Sequence, residues 1–140
     1  MSKKSLNIAI LDDSEFDNKL FSQQLKTYTN ELAFGEDLNF NIQSFTTTSD
    51  FLNHLSNDTE VVILDYYLDE GNTGKELISK IKSTAECCKI LIVSQARNVD
   101  TAMQTLRLGA NAFIHKDDIY SMPRICFFVE EALKSKYQTS

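Results

Sequence analysis

Short apolar runs alternate with amphipathic stretches along the whole chain. The runs are Leu6 to Leu11, Phe40 to Phe45, Val61 to Leu64, Ile90 to Val93 and Ala112 to Ile114. They are too short for helices and rich in branched residues, which predicts five strands. Glu60-Val61-Val62-Ile63-Leu64-Asp65 and Lys89-Ile90-Leu91-Ile92-Val93-Ser94 are nearly continuous in Val, Ile and Leu. That is the composition of central strands of a parallel sheet, which are covered on both faces.

Between the runs, apolar residues recur at helical spacing: Phe21, Leu25, Tyr28 and Leu32; Phe51, Leu52 and Leu55; Leu77, Ile78 and Ile81; Val99, Ala102, Met103 and Leu106; and Met122, Ile125, Cys126, Val129 and Leu133. Each set predicts a helix after a strand. Ser14 suits the N-cap of the first helix, Gly109 the stop of the fourth, and Pro123 the opening of the last. The strand–helix alternation predicts an α/β protein with a parallel sheet. Thr29 to Asn39 is long for a helix-to-strand connection, and we read it as part helix extension, part acidic loop.

At 140 residues the chain is one domain by size, and 42% hydrophobic residues with four Gly and one Pro argue against disorder. Fourteen basic against twenty acidic side chains leave a net charge of −6, which disfavours direct nucleic-acid or anionic-membrane binding. No apolar run approaches a membrane span and no signal-peptide pattern opens the chain, so a cytoplasmic location is expected. Cys87, Cys88 and Cys126 are read as reduced thiols, with a vicinal redox pair at Cys87 and Cys88 as the alternative. His54 and His115 lie in no ligand or donor motif.

In an open parallel sheet, ligands gather outside the carboxyl ends of the strands. The residues there are Asp12 and Asp13 after the first strand, Asp65 after the third, Ser94 after the fourth and Lys116 after the fifth. Clustered carboxylates repel and call for a cation. All-oxygen ligands favour Mg²⁺ over zinc or copper, and such an ion keeps positions for phosphate oxygens. Lys116 and Ser94 would complete a phosphate site, with Asp65 a candidate nucleophile for an acyl phosphate.

The ordered segments Ile10-Leu11-Asp12-Asp13-Ser14, Val62-Ile63-Leu64-Asp65, Leu91-Ile92-Val93-Ser94 and Gly109-Ala110-Asn111-Ala112-Phe113-Ile114-His115-Lys116 resemble the response-regulator receiver domains of two-component signalling over nearly the whole chain. The resemblance implies a flavodoxin-like doubly wound (βα)5 sandwich, strand order 2-1-3-4-5, as a single domain over 1–140 with its core at about 5–136. It implies Asp65 as phosphoacceptor from a phosphohistidine, on a sensor histidine kinase or a histidine phosphotransfer protein. Mg²⁺ (or Mn²⁺) would be held by Asp12, Asp13, Asp65 and the backbone carbonyl of Tyr67. Ser94 and Lys116 would bind the phosphoryl group, and Ser94 and Phe113 would form the switch. Such a protein is a signalling switch rather than an enzyme, although it catalyses its own phosphorylation and dephosphorylation. The chain ends soon after Lys116, so output is expected through binding a downstream protein target, by the face of the fourth helix, fifth strand and fifth helix, with a homodimer on phosphorylation possible.

Several positions depart from the family pattern. Tyr66-Tyr67-Leu68-Asp69-Glu70 replaces the usual Met-Pro after the acceptor, Gln95 stands where a small residue is usual, and Asp117 replaces the proline after the lysine. A bulky Tyr67 beside Asp65 predicts slow loss of the phosphoryl group. The wide separation of Asp13 from Asp65 places extra length within Thr29 to Asn39. A haloacid-dehalogenase-type hydrolase would need an acid where Tyr67 stands, and an FMN binder would not carry Asp12 and Asp13 in its first loop. The runner-up reading is a pseudo-receiver acting as a phosphorylation-independent interaction module.

Overall fold

The computed structural model describes residues 3–66, 74–95 and 99–138. Its elements run β1 (Lys4–Leu11), α1 (Glu15–Ala33), β2 (Leu38–Phe45), α2 (Thr48–His54), β3 (Val61–Asp65), α3 (Gly74–Thr84), β4 (Lys89–Ser94), α4 (Val99–Leu108), β5 (Ala112–His115) and α5 (Ser121–Tyr137). The strands form one parallel sheet in the order β2-β1-β3-β4-β5, a flavodoxin-like doubly wound arrangement as expected.

Alternate residues of the central strands feed two cores. On one face Ala9, Leu11, Val62, Leu64, Ile90 and Ile92 pack with Phe51 of α2 and Leu77, Ile78 and Ile81 of α3. On the other, Leu6, Ile8, Ile10, Ile63, Leu91 and Val93 pack with Leu25 of α1 and Ile125 and Val129 of α5. The continuous apolar runs of β3 and β4 thus follow from burial on both sides.

Local signals behave as the sequence predicts. The Ser14 hydroxyl accepts from the Asp17 backbone N–H at 3.3 Å and caps α1. Gly109 follows α4 with φ +120°, a conformation open to glycine. The long Thr29–Asn39 segment resolves into the last five residues of α1 through Ala33, a turn containing Gly35 at φ +76°, and the first residues of β2.

The apolar stripe of α4 faces outward. The helix forms where its spacing predicts, but Thr101 and Thr105 are its buried residues, while Val99, Met103 and Leu106 are 69%, 46% and 44% exposed. Periodicity reports an apolar face, not its direction. Here small threonines let α4 approach its neighbours closely and the larger side chains are left in solvent.

Candidate functional site

The sheet winds in opposite senses on either side of β1 and β3, which creates a crevice at their carboxyl ends. Asp12 and Asp13 leave β1 there, and Asp65 ends β3. One carboxylate oxygen from each of Asp12, Asp13 and Asp65 lies within 4.8 Å of the others. At that separation two full charges repel by about 3–4 kcal/mol at an effective dielectric near 20, so the cluster needs cations.

Lys116 supplies one. It follows β5, and its backbone N–H donates to the Ser94 carbonyl at 2.7 Å, so the β4–β5 ladder sets its position. The ammonium donates to Asp12 Oδ2 at 3.0 Å and lies 3.4 Å from Asp17 and 3.8 Å from Asp65. Burial works to lower the Lys116 pKa, but the Asp12 hydrogen bond and the charges of Asp65, Asp12 and Asp17 outweigh it and hold the ammonium above its ordinary value. The peptide bond from Lys116 to Asp117 is trans, and the lysine reaches the carboxylates without the proline that usually follows it.

Asp12 is held at several points. It is buried, and its Oδ1 accepts from the Ser14 N–H at 3.0 Å. Its backbone carbonyl accepts from Asn18 Nδ2 at 2.9 Å, and the same amide donates to the Phe45 carbonyl at 2.8 Å. Asn18 thereby ties the ends of β1 and β2 to the first turn of α1. The amino end of α1 also faces the cluster, and its dipole favours negative charge there.

Ser94 ends β4, one residue beyond the Val93 that pairs with Asp65, and is fully buried. Gln95 is exposed, and a space of about 190 Å³ is bounded by Asp13, Ser14, Asp17, Asp65, Gln95 and Lys116. Phe113 pairs with Ile92 in the sheet and is half-buried against the α2–α3 core. Tyr67, with Asp69 and Glu70, lies outside the described residues.

The model of the response regulator receiver domain family matches residues 8–121. The chain belongs to this receiver family. No curated protein matches it significantly in sequence. Among solved structures, a BeF3-activated DrrB receiver domain is 22% identical, with 93% of this chain and 98% of that one covered and a TM-score of 0.75. A CheY-like receiver domain protein from Methanospirillum hungatei is 20% identical, covering 96% and 97%, with a TM-score of 0.75. A Burkholderia pseudomallei response regulator with a phosphorylated aspartic acid, calcium ion and citrate is 16% identical, covering 96% and 76%, with a TM-score of 0.66. These likenesses are ones of fold.

Within this receiver domain, the structure brings Asp12, Asp13, Asp65 and Lys116 together at the sheet edge where Ser94 ends β4, and adds Asp17 and Asn18, which the sequence analysis did not name. Asn18 had a signal: it shares the buried stripe of α1 with Ser22, Leu25 and Thr29, and a polar residue at a core position needs partners. Asp17 stands in the first turn of α1 and had none beyond its charge. His115 also behaves unexpectedly. Its Nδ1 accepts from the Asp117 N–H at 3.1 Å, while its Nε2 is buried without a hydrogen-bond partner. The His54 ring lies tilted against Phe45, with ring centroids 5.1 Å apart. Burial pushes the Cys88 thiol up to about 12 and the Cys126 thiol to about 11, while Cys87 is exposed. No helix among the described residues is long and apolar enough to cross a membrane.

Proposed function

We propose that this receiver domain is a phosphorylation-controlled switch in which Asp65 takes a phosphoryl group from a phosphohistidine on a sensor histidine kinase or a histidine phosphotransfer protein. One observation carries the reading: Asp12, Asp13 and Asp65 converge within 4.8 Å beside an ammonium 3.8 Å from Asp65. The donor set suits a hard divalent cation. All of it is oxygen, the ligand type that hard divalent cations take. Asp12, Asp13 and Asp65, with the Tyr67 carbonyl, would hold Mg²⁺ or Mn²⁺, which when bound neutralises charge on phosphoryl oxygens.

In the transfer, a lone pair of an Asp65 carboxylate oxygen forms the new O–P bond as the N–P bond to the donor imidazole breaks. The bonding pair returns to the imidazole nitrogen. The chain contributes positioning and charge. Lys116 exchanges its carboxylate partners for a phosphoryl oxygen, and the Ser94 hydroxyl donates to another. Drawing Ser94 toward Asp65 would free space for Phe113 to turn inward. The outward apolar face of α4, Val99, Met103, Leu106 and Leu108, is the surface through which output to a downstream protein would pass, since exposed apolar patches favour association.

Incubation with Mg²⁺ and acetyl phosphate, followed by intact-mass measurement, tests the proposal. The expected result is one added phosphoryl group, absent without divalent cation and absent in Asp65→Asn. No addition from acetyl phosphate or from a phosphorylated histidine donor would favour a pseudo-receiver that works by binding alone.

A further inference from the structure

The two edges of the sheet are treated differently. β5 spans only Ala112–His115 and runs into Lys116, Asp117 and Asp118; short length and adjacent charge are the usual protections of an edge. β2 has neither. It is eight residues long, Leu38-Asn39-Phe40-Asn41-Ile42-Gln43-Ser44-Phe45, with no charged residue, proline or glycine.

Its free hydrogen-bonding groups can be assigned. Lys4 N–H donates to the Asp37 carbonyl at 3.0 Å and Asp12 N–H to the Phe45 carbonyl at 3.1 Å, with β1 and β2 in unbroken register between them. Because the N–H and C=O of one strand residue point to the same side, and successive residues alternate, Asn39, Asn41, Gln43 and Phe45 face β1. Leu38, Phe40, Ile42 and Ser44 therefore turn their N–H and C=O outward, and among the described residues no strand lies beyond them.

We propose that this edge pairs with the same edge of a second copy, antiparallel about a two-fold axis at Asn41, to give one continuous sheet. The strand is its own complement in that register. Phe40 falls opposite Ile42 of the second copy and Leu38 opposite Ser44, each pair exchanging two backbone hydrogen bonds. Between them, Asn39 meets Gln43 and Asn41 meets Asn41. The Asn39 and Asn41 amides already form a chain with Asn7, at 2.7 and 2.8 Å, which the second copy extends. Phe40 and Ile42 lie partly buried against the α1–α5 core, so their side chains continue an apolar layer.

Charge selects this arrangement. The exposed acids Glu36 and Asp37 precede β2. Antiparallel pairing sets Asp37 against Phe45 and Glu36 against Thr46, whereas parallel pairing would set the acids beside their own copies, and facing like charges destabilise. The association needs no phosphoryl group and uses a face remote from α4.

Sedimentation equilibrium and amide hydrogen exchange on the full chain test it, up to about 500 µM because a dimer's stability depends on concentration. The expected result is a concentration-dependent dimer, equally present in Asp65→Asn, with slowed exchange at Leu38, Phe40, Ile42 and Ser44 and none at Asn39, Asn41 or Gln43. Asn41→Lys sets two ammoniums on the axis, and Ser44→Pro removes an outward N–H while leaving the β1 ladder intact. Each should weaken association at least about tenfold, with unfolding midpoint and acetyl phosphate labelling retained as evidence of folding. A monomer at the highest concentration, a dimer indifferent to both variants, a dimer absent from Asp65→Asn, or protection confined to α4 and β5 would each overturn the proposal.

Discussion

Replacing Asn18 by alanine should loosen the acidic site from behind without touching a carboxylate. The Asn18 amide donates to the Asp12 carbonyl at 2.9 Å and to the Phe45 carbonyl at 2.8 Å, and its Oδ1 accepts from Ser22 Oγ at 3.3 Å. The losses differ. The Phe45 carbonyl keeps the Asp12 N–H at 3.1 Å, so it forfeits only a second bond, worth about 0.5–1 kcal/mol. The Asp12 carbonyl loses the side-chain donor that covers it in a buried setting, at about 1–3 kcal/mol. The long Ser22 bond adds little. We expect Asn18→Ala to lower unfolding stability by about 2–3 kcal/mol, against about 0.5 kcal/mol or less for Ser22→Ala. With the Asp12 backbone released, divalent-cation affinity should fall about tenfold, the low end of the loss when other supports of a ligand are removed. Urea unfolding followed by circular dichroism measures the first and calorimetric Mg²⁺ titration the second. A change below about 0.5 kcal/mol with unaltered Mg²⁺ binding would refute the claim that Asn18 fastens the two strand ends.

Gly109→Ala should cost about 1–2 kcal/mol, because φ is +120° and the new Cβ would lie 3.1 Å from Lys82 Cε; the same unfolding assay reads it, and an unchanged midpoint would count against the strain. Iodoacetamide near neutral pH should label Cys87 in the folded protein and spare Cys88 and Cys126, whose burial keeps the thiols protonated; peptide mass mapping checks the order. Stability should fall as pH rises above about 9. The unfolded chain sheds its thiol protons near the ordinary value of 9.0 while folded Cys88 holds its proton to about 12 and Cys126 to about 11, so the unfolded state binds fewer protons in that window. The raised Lys116 value acts the same way, its contribution being complete below the ordinary 10.5 and lost as pH passes the folded value. Unfolding midpoints that stay flat from pH 7 to about pH 10 would contradict this linkage.

What could be read from the chain alone was whatever depends on neighbours in sequence. Alternation and composition located the five strands and five helices of the described residues, since burial on both faces of β3 and β4 demands unbroken apolar runs. Strand-end chemistry then placed Asp12, Asp13, Asp65, Ser94 and Lys116 on one edge, because a parallel sheet carries every strand's carboxyl end to the same side. Direction and partnership were decided elsewhere. The stripe of α4 was visible, but that it points to solvent follows from the small Thr101 and Thr105 seating the helix on its neighbours. Asn18 looked like one more residue of a helix until β2 ended beside it. Lys116 bonds to Asp12 across 104 positions and stands farther from Asp65, a choice set by the order of strands and the reach of one side chain. Local pattern specifies elements because each residue's burial repeats with the geometry of its own backbone. Contacts between distant residues depend on how those elements are brought together, and only the packed sheet and helices determine that.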